Sequence, residues 1–131
     1  MKISKKAQYG LRAMVYLAKY FSENKVCSIK EISEKEDIPF PFLEKIISEL
    51  EKAGLVKAKR GVQGGYFLAK EPQRITAGEI IRVLENTVLV SCLGCQMAKI
   101  CLAKNVWEKV RDSLDSTLDS MTLADLVSKR S

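Results

Sequence analysis

The sequence contains no histidine among its 131 residues. This absence removes the commonest general base of enzymes and the commonest nitrogen ligand of protein-bound metals. The remaining residues show neither a nucleophile with a neighbouring base nor a pair of carboxylates in a catalytic pattern. The sequence therefore predicts a protein that is not an enzyme.

Long hydrophobic runs are also missing. No apolar segment approaches the roughly 18 residues that a membrane-spanning helix needs, and the first residues lack the layout of a signal peptide. We therefore expect a cytoplasmic protein that has no membrane partner. Because that compartment is reducing, clustered members of the four cysteines are expected to be metal or redox ligands rather than structural disulfides.

Positive charge is concentrated in the first part of the chain. Residues 1–75 carry 15 Lys and Arg against 9 Asp and Glu, whereas residues 76–131 carry 7 of each. The composition is otherwise that of an ordinary folded protein, with 47% hydrophobic and 29% charged residues. A basic first region favours binding of a polyanion such as DNA, although many basic proteins bind no nucleic acid.

Three helices are predicted in the basic region. Apolar residues at three- and four-residue spacing predict an amphipathic helix over residues 4–21, with Ser4 as its N-cap. A capping box at Ser28 predicts a short helix over residues 29–36. The prolines that follow predict a turn and a new helix, which starts near Pro41 and stops at Gly54.

A basic β-hairpin is predicted directly after these helices. Residues 55–60 and 66–68 are strand-like runs around a glycine-rich tip. Helix, short helix, turn, helix and hairpin is the order of a winged helix-turn-helix, whose second paired helix enters the major groove. We predict a mainly α fold with a small β-hairpin, in which residues 1–85 form a winged helix-turn-helix DNA-binding domain.

The rest of the chain predicts a cysteine-containing loop and a long C-terminal helix. A capping box at Thr76 opens a helix to about Glu85, and residues 86–101 show no regular period. An otherwise polar helix follows, with a narrow apolar stripe formed by Val106, Trp107, Val110, Leu114 and Leu118. So narrow a stripe favours pairing with a partner helix, and we assign residues 102–131 to a dimerisation helix and tail.

The candidate DNA-reading residues lie on the second paired helix. Its predicted solvent face presents Phe42, Glu44, Lys45 and Ser48. Glu44 can accept a hydrogen bond from the cytosine amino group, and Lys45 can meet guanine or phosphate. Each residue alone also fits an ordinary solvated helix surface, so the prediction of DNA contact rests on their position in the motif.

The hairpin supplies the other candidate DNA contacts, which are Lys59, Arg60 and Gly64. Strand alternation sends Lys57 and Lys59 to one face and leaves Arg60 at the turn. Arg60 can reach a minor groove, where narrow A/T-rich stretches concentrate negative potential. The alternative is a solubilising edge strand, because lysine commonly protects exposed strand edges.

Three cysteines predict a metal centre. Cys92, Cys95 and Cys101 lie within ten positions, so three sulfurs can converge on one centre without help from the rest of the fold. We favour an iron-sulfur cluster over a redox thiol switch, zinc or no metal, because neither a fourth nearby cysteine nor any histidine completes a zinc site. Cys27 is distant in sequence and is expected to be a small buried or partly buried residue.

These features together resemble the IscR/NsrR/CymR family of winged-helix regulators over nearly the whole chain. The similar segments are Met1–Ser4, Tyr9–Arg12, Phe42–Glu44, Gly54–Val56, Arg60–Gly61, Gly64–Tyr66 and Ile75–Gly78. The resemblance implies a homodimer joined through the long C-terminal helix and a palindromic double-stranded DNA site, as two-fold protein symmetry requires.

The resemblance also implies a [2Fe-2S] or [4Fe-4S] cluster on the three cysteines. Family members take the fourth ligand from a histidine three residues after the last cysteine, where this chain has Lys104, or from an acidic residue of the partner's first helix, where it has Gln8. Gln8 of a second subunit is thus one candidate, besides solvent or a small thiol. Pro41 replaces a serine that is frequent in the family.

The predicted function is a DNA-binding transcription regulator, typically a repressor, that senses iron-sulfur and redox status. A thiol-based redox or sulfur-metabolism repressor without a cluster is the alternative. A small electron-transfer protein, in which the winged helix only docks another protein, is a further one.

Overall fold

The computed structural model describes residues 3–85 and 102–128. Within these ranges the chain forms six α-helices, two short 3-10 helices and one two-stranded antiparallel sheet. The elements are α1 (Lys5–Lys19), α2 (Ile29–Glu36), α3 (Phe40–Lys52), β1 (Val56–Lys59), β2 (Gly65–Leu68), α4 (Ala77–Leu84), α5 (Lys104–Asp119) and α6 (Leu123–Ser128). The predicted mainly α fold with a small hairpin is confirmed.

Side-chain caps start three of the helices. Ser4, Ser28 and Thr76 each accept a hydrogen bond, at 3.0–3.1 Å, from a backbone N–H in the first turn of α1, α2 and α4. Such a bond satisfies one of the amides that have no partner inside the helix. The three predicted caps are therefore confirmed.

The start of α3 differs by one residue from the prediction. The helix begins at Phe40, with Pro39 at the N-cap position and Pro41 inside the first turn. Neither proline disturbs the helix there, because first-turn amides need no intrahelical acceptor. The predicted stop is confirmed, since Gly54 has a φ of 81°, a left-handed conformation that costs glycine little.

The core is formed where α1, α3 and α4 cross. Gly10 of α1 lies against Leu84 and Ile46, so closely that an added Cβ would overlap the Leu84 side chain. Both leucine and isoleucine are buried, as are Met14 and Leu43. The absence of a side chain at Gly10 thus lets α1 pack closely against both α3 and α4.

The C-terminal segment joins the same core. After α5 the chain returns beside the start of α4, where Ala77 N–H donates to Met121 O at 2.8 Å and Leu123 N–H donates to Ile75 O at 2.9 Å. Leu123 is completely buried. The end of α5 is also tied to α4, because Arg82 forms ion pairs with Asp115 and Asp119.

Candidate nucleic-acid interface

The outer face of α3 carries the residues predicted to read DNA. Glu44, Lys45 and Ser48 are exposed, whereas the opposite face buries Leu43, Ile46, Ile47 and Leu50 in the core. The side-chain period of the helix places these two sets on opposite sides. The predicted residues therefore share one accessible surface on a helix whose opposite face is packed in the core.

Phe42 lies at the edge of this surface, towards α1. Its ring meets the ring of Tyr9 edge to face, with 5.5 Å between ring centroids, and Phe42 remains 38% exposed. Lys5 and Arg12 lie within 6 Å of the same tyrosine ring. The contact combines an aromatic pair with two cations, which sets the orientation of the start of α3 on α1.

A groove of about 930 Å³ runs between the start of α1 and the outer face of α3. Its walls include Phe42, Lys45 and Ser48, together with Lys6 and Lys52. The Lys6 ammonium forms an ion pair at 2.8 Å with Glu49 of α3. Lys6 and Lys52 were not among the sequence-predicted contacts. Lys6 reaches this face only because α1 packs beside α3, whereas Lys52 follows Lys45 and Ser48 at helical spacing on α3 itself.

Phe40 is a second exposed aromatic residue on α3, and it was not among the sequence-predicted DNA contacts. It is 42% exposed at the first position of α3. Aromatic and methyl-bearing side chains at the start of a recognition helix can contact the thymine methyl group. The two prolines around it mark the position in the sequence, but they do not show that its ring faces solvent.

The hairpin begins directly behind α3. Leu55 N–H donates to Leu50 O at 3.0 Å, which closes the helix end and starts the strand. In the ladder Lys57 pairs with Phe67 and Lys59 with Gly65, and both lysines are exposed. Helix α3 and the basic hairpin therefore form one continuous unit, with the hairpin extending from the C-terminal end of α3.

Glycines shape the tip of the hairpin. Gly61 has a φ of 125°, and its carbonyl accepts the N–H of Gly64 at 3.0 Å. An added Cβ at Gly64 would overlap the carbonyl oxygen of Lys59. Gly64 is thus required by the tight turn, and Arg60 stands exposed at its entrance.

The base of the hairpin is held by a third chain segment. Cys27 and Tyr66 form an antiparallel bridge with hydrogen bonds of 2.9 and 2.7 Å. Cys27 is completely buried, as predicted, and burial raises the pKa of its thiol to about 11. A thiol with so high a pKa forms little thiolate near neutral pH, so Cys27 lacks the character of a redox-reactive cysteine.

The predicted cluster ligands Cys92, Cys95 and Cys101 lie outside the described residues, as does the predicted loop over residues 86–101. Within residues 3–85 and 102–128, no three His, Cys, Asp or Glu side chains are grouped to hold a metal ion. The chemistry of the cysteine donor set fits an iron-sulfur cluster, because iron-sulfur clusters are held by cysteine thiolates.

The flanks of that cysteine segment are described. Glu85, immediately before it, accepts hydrogen bonds from the backbone N–H and the hydroxyl of Ser4 at the start of α1. Gln8 lies one turn further along α1, is exposed, and donates through Nε2 to Ile3 O at 2.9 Å. Lys104 lies 3.5 Å from Glu108 in an ion pair, so the position that carries a histidine in some family members holds an ion-paired ammonium group here.

The comparisons agree with this architecture. The family model described as "Rrf2: Iron-dependent Transcriptional regulator" matches residues 3–129. The HTH-type transcriptional regulator CymR of Bacillus subtilis (strain 168) is 43% identical over 128 residues, which are 98% of this chain and 91% of that protein.

Solved structures agree equally well. The structure titled "T. potens IscR" has a TM-score of 0.85 and 44% identity, and the match covers 100% of this chain and 89% of that one. The structure of CymR, titled "the Global Cysteine Regulator of B. subtilis", has a TM-score of 0.81 and 42% identity, with 98% of both chains covered.

These relatives are regulators of transcription and not enzymes, which confirms the prediction from the missing catalytic residues. Among the described residues, no helix is both long and apolar enough to cross a membrane. The sequence resemblance is confirmed by family model, curated relative and solved structures alike, and the chain belongs to the Rrf2 family of transcriptional regulators.

Proposed function

We propose that this Rrf2-family regulator binds a palindromic operator as a homodimer and responds to iron-sulfur or redox status through Cys92, Cys95 and Cys101. The observation that carries the DNA part is the continuous unit of α3 and hairpin. That unit presents Glu44, Lys45 and Ser48 on an exposed helix face, with Arg60 exposed at the wing. Exposed polar and basic groups on a rigid helix and wing are what duplex recognition requires.

Two DNA-contact roles follow from this geometry. We assign base contacts to the outer face of α3, where Phe42, Glu44, Lys45 and Ser48 point away from the core. We assign the minor-groove and backbone contacts to Lys59, Arg60 and Gly64 of the hairpin. Positive charge supplies affinity, while the helix face supplies sequence preference.

The homodimer is supported by α5. None of the side chains of this helix is buried in the single chain, and Val106 at its start is 57% exposed. An apolar stripe along a helix that is otherwise polar is stabilised when it packs against an equivalent stripe. If a two-fold axis relates two copies of α5, the two units of α3 and hairpin would be related by the same axis and could contact the two half-sites of a palindrome.

The sensing role is supported by the cysteine donor set and its attachment. A bound cluster would supply electron-transfer and ligand-exchange chemistry at the three thiolates. The chain's own contribution is the anchoring of that segment, since Glu85 bonds to the N-cap Ser4 of α1, and α1 contacts α3 through Lys6 and Tyr9. Gln8 of the second subunit is the candidate for the fourth ligand.

The second candidate is a cysteine- or sulfur-metabolism regulator that binds no cluster. The B. subtilis relative CymR is described as the global cysteine regulator of that organism, which is the observation in favour of this candidate. A regulator without a cluster gives the three cysteines within ten positions no shared role as ligands, and for that reason we rank this candidate second.

Anaerobic purification tests both candidates. We expect a coloured protein with iron-sulfur absorption and Mössbauer spectra, and specific duplex binding whose affinity differs at least tenfold between holo- and apo-protein, which requires only about 1.4 kcal/mol of differential stabilisation. A colourless protein with stoichiometric zinc contradicts the cluster and leaves DNA binding intact. Equal affinities of the two forms for a defined operator contradict the regulatory role of the cluster.

A further inference from the structure

The tip of the hairpin carries an apolar side chain that its turn does not need. Val62 is the most exposed of the large hydrophobic residues in the described ranges, with a relative exposure of 107%. The hydrogen bond from Gly64 N–H to Gly61 O makes Val62 and Gln63 the two corner residues of a four-residue turn. Turn corners normally hold polar residues, glycine or proline.

A single exposed hydrophobic residue is common on protein surfaces and by itself means little. Val62 differs in its surroundings. It lies between Gly61 and Gly64, two glycines that the turn geometry requires, so the exposed side chains of the tip are those of Val62, Gln63 and the neighbouring Arg60. It also follows Arg60 by two positions, which places an apolar group beside the cation that we assign to DNA.

The shape of this tip favours contact with the minor groove of DNA. That groove is only about 6 Å wide in B-DNA, so side chains on a tip limit how deeply the tip can enter. A tip in which Gly61 and Gly64 lack side chains can enter such a groove where a tip of ordinary residues would meet its walls. The Cys27–Tyr66 bridge fixes the base of the hairpin, so the direction of the tip is set by the domain.

The chemistry of the valine side chain determines what it can discriminate. A·T pairs present only acceptors on the minor-groove floor, whereas a G·C pair adds the 2-amino donor of guanine. An isopropyl group accepts no hydrogen bond, so packing against guanine would leave that amino group desolvated and unpaired. The neighbouring guanidinium of Arg60 is a donor and suits the same A·T floor.

We propose that Val62 is a specificity-determining residue, which packs on the minor-groove floor beside Arg60 and disfavours a G·C pair at the contacted step. This inference rests on the proposed DNA-binding function. It assigns to the wing a second mode of reading, by exclusion of a donor, in addition to the electrostatic attraction of the arginine. Because Val62 is apolar, it adds discrimination between A·T and G·C pairs without adding a phosphate contact.

The test uses a duplex selected by the full-length protein from a randomised pool. At the base pair that the wing contacts, located by footprinting, three versions are compared, with A·T, G·C or inosine·C. Inosine keeps the major-groove O6 and N7 of guanine but lacks its 2-amino group. We expect the G·C version to bind about tenfold more weakly than the A·T version, as an unpaired buried donor implies, and inosine·C to recover most of that loss.

Two variants separate Val62 from its neighbours. Val62→Thr keeps the shape of the side chain and adds an acceptor, so the G·C penalty should fall to about threefold or less. Gln63→Ala, at the other corner, is the control and should keep the full penalty. The salt dependence of binding should be unchanged in Val62→Thr, whereas Arg60→Ala should lower its slope by about one.

The outcomes distinguish this inference from the proposed function. If Val62→Thr retains the full tenfold penalty, or if inosine·C binds as weakly as G·C, the role of Val62 is refuted while DNA binding stands. If Arg60→Ala alone abolishes the discrimination, the arginine reads the step and the inference is wrong. If the wild-type protein enriches no duplex from the pool, the proposed function fails, and the role of Val62 fails with it.

Discussion

Ser4 and Glu85 are 81 positions apart in the sequence and are joined by two hydrogen bonds. The backbone N–H of Ser4, at 2.7 Å, and the Ser4 hydroxyl both donate to the same carboxylate oxygen of Glu85. The Ser4 hydroxyl also accepts the N–H of Ala7 as the N-cap of α1. One serine therefore starts the first helix and anchors the residue that immediately precedes the cysteine segment.

Replacing this serine tests the double role. Ser4→Ala should lower the free energy of unfolding by about 1–2 kcal/mol, because it removes an N-cap and a partner of Glu85. Urea denaturation followed by circular dichroism measures the change. Ser116→Ala, at an exposed position of α5 away from the apolar stripe, is the matched control and should change stability by less than about 0.5 kcal/mol. An equal effect of the two variants would contradict the role of Ser4.

Gly10 sets the distance between α1 and α4. Gly10→Ala should destabilise the protein by about 1–3 kcal/mol from overpacking against Leu84, even though alanine favours a helix by about 1 kcal/mol. The overlapping leucine is itself buried and has little room to move. Thermal and urea unfolding give the value.

A double variant identifies the clash as the cause. Leu84→Ala alone should cost about 2–5 kcal/mol as a cavity. In Gly10→Ala/Leu84→Ala the new methyl group partly fills that cavity, so the combined loss should be smaller than the sum by at least about 0.5 kcal/mol. Strict additivity would show that the glycine matters for some other reason.

Glu31 should make stability depend on acid pH. Partial burial acts to raise its pKa, but hydrogen bonds from the Tyr16 hydroxyl and the Lys25 ammonium outweigh burial and hold the pKa below its usual range. A lowered folded-state pKa stabilises the protein above the unfolded value of about 4.3. This contribution is lost as the pH falls through the folded-state pKa.

Tyr16→Phe reduces this contribution. The variant should lose about 1–2 kcal/mol of stability at pH 7, since hydrogen bonds to charged groups are comparatively strong, and its difference from the wild type should shrink below about pH 4. Urea unfolding at pH 7, 5 and 3 measures it. Tyr9→Phe, whose ring meets Phe42 instead, should show no such pH dependence. A Tyr16→Phe difference that is constant with pH would contradict the link to Glu31.

Cys27 should resist modification in the folded protein. It is completely buried, and burial raises the pKa of its thiol to about 11, so both access and the thiolate fraction are low. Mass spectrometry after iodoacetamide treatment at pH 8 should find Cys27 unmodified in the native protein and modified in urea. Rapid native-state alkylation would show that this thiol is available as a sensor.

The apolar stripe of α5 should hold the dimer. Val110→Glu places a charge in the stripe and should yield a folded monomer in analytical ultracentrifugation, because an unpaired charge is costly in an apolar interface. Ser116→Glu adds the same charge at an exposed position on the opposite side of α5 and should leave the dimer intact. A dimer that survives Val110→Glu would place the interface elsewhere.

Local features of the fold were predictable from the sequence. The caps at Ser4, Ser28 and Thr76 and the left-handed stop at Gly54 were all predicted and are all present. Each depends on the residue and its near neighbours, because a hydroxyl reaches only amides in the next turn and a positive φ is a property of one residue. Likewise the period of α3 alone separated Glu44, Lys45 and Ser48 from the buried face.

Distant contacts depended on the tertiary structure. No local period shows that Leu123 enters the core beside Ile75, that Lys6 meets Glu49 across the groove, or that Glu85 bonds to Ser4. These pairings arise when helices pack and when partly buried polar groups find partners, and both conditions involve the whole chain at once. The sequence by itself determined the helices, the hairpin and the exposed face of α3, whereas the packing of α1 against α3 and α4 decided which other groups lie beside that face.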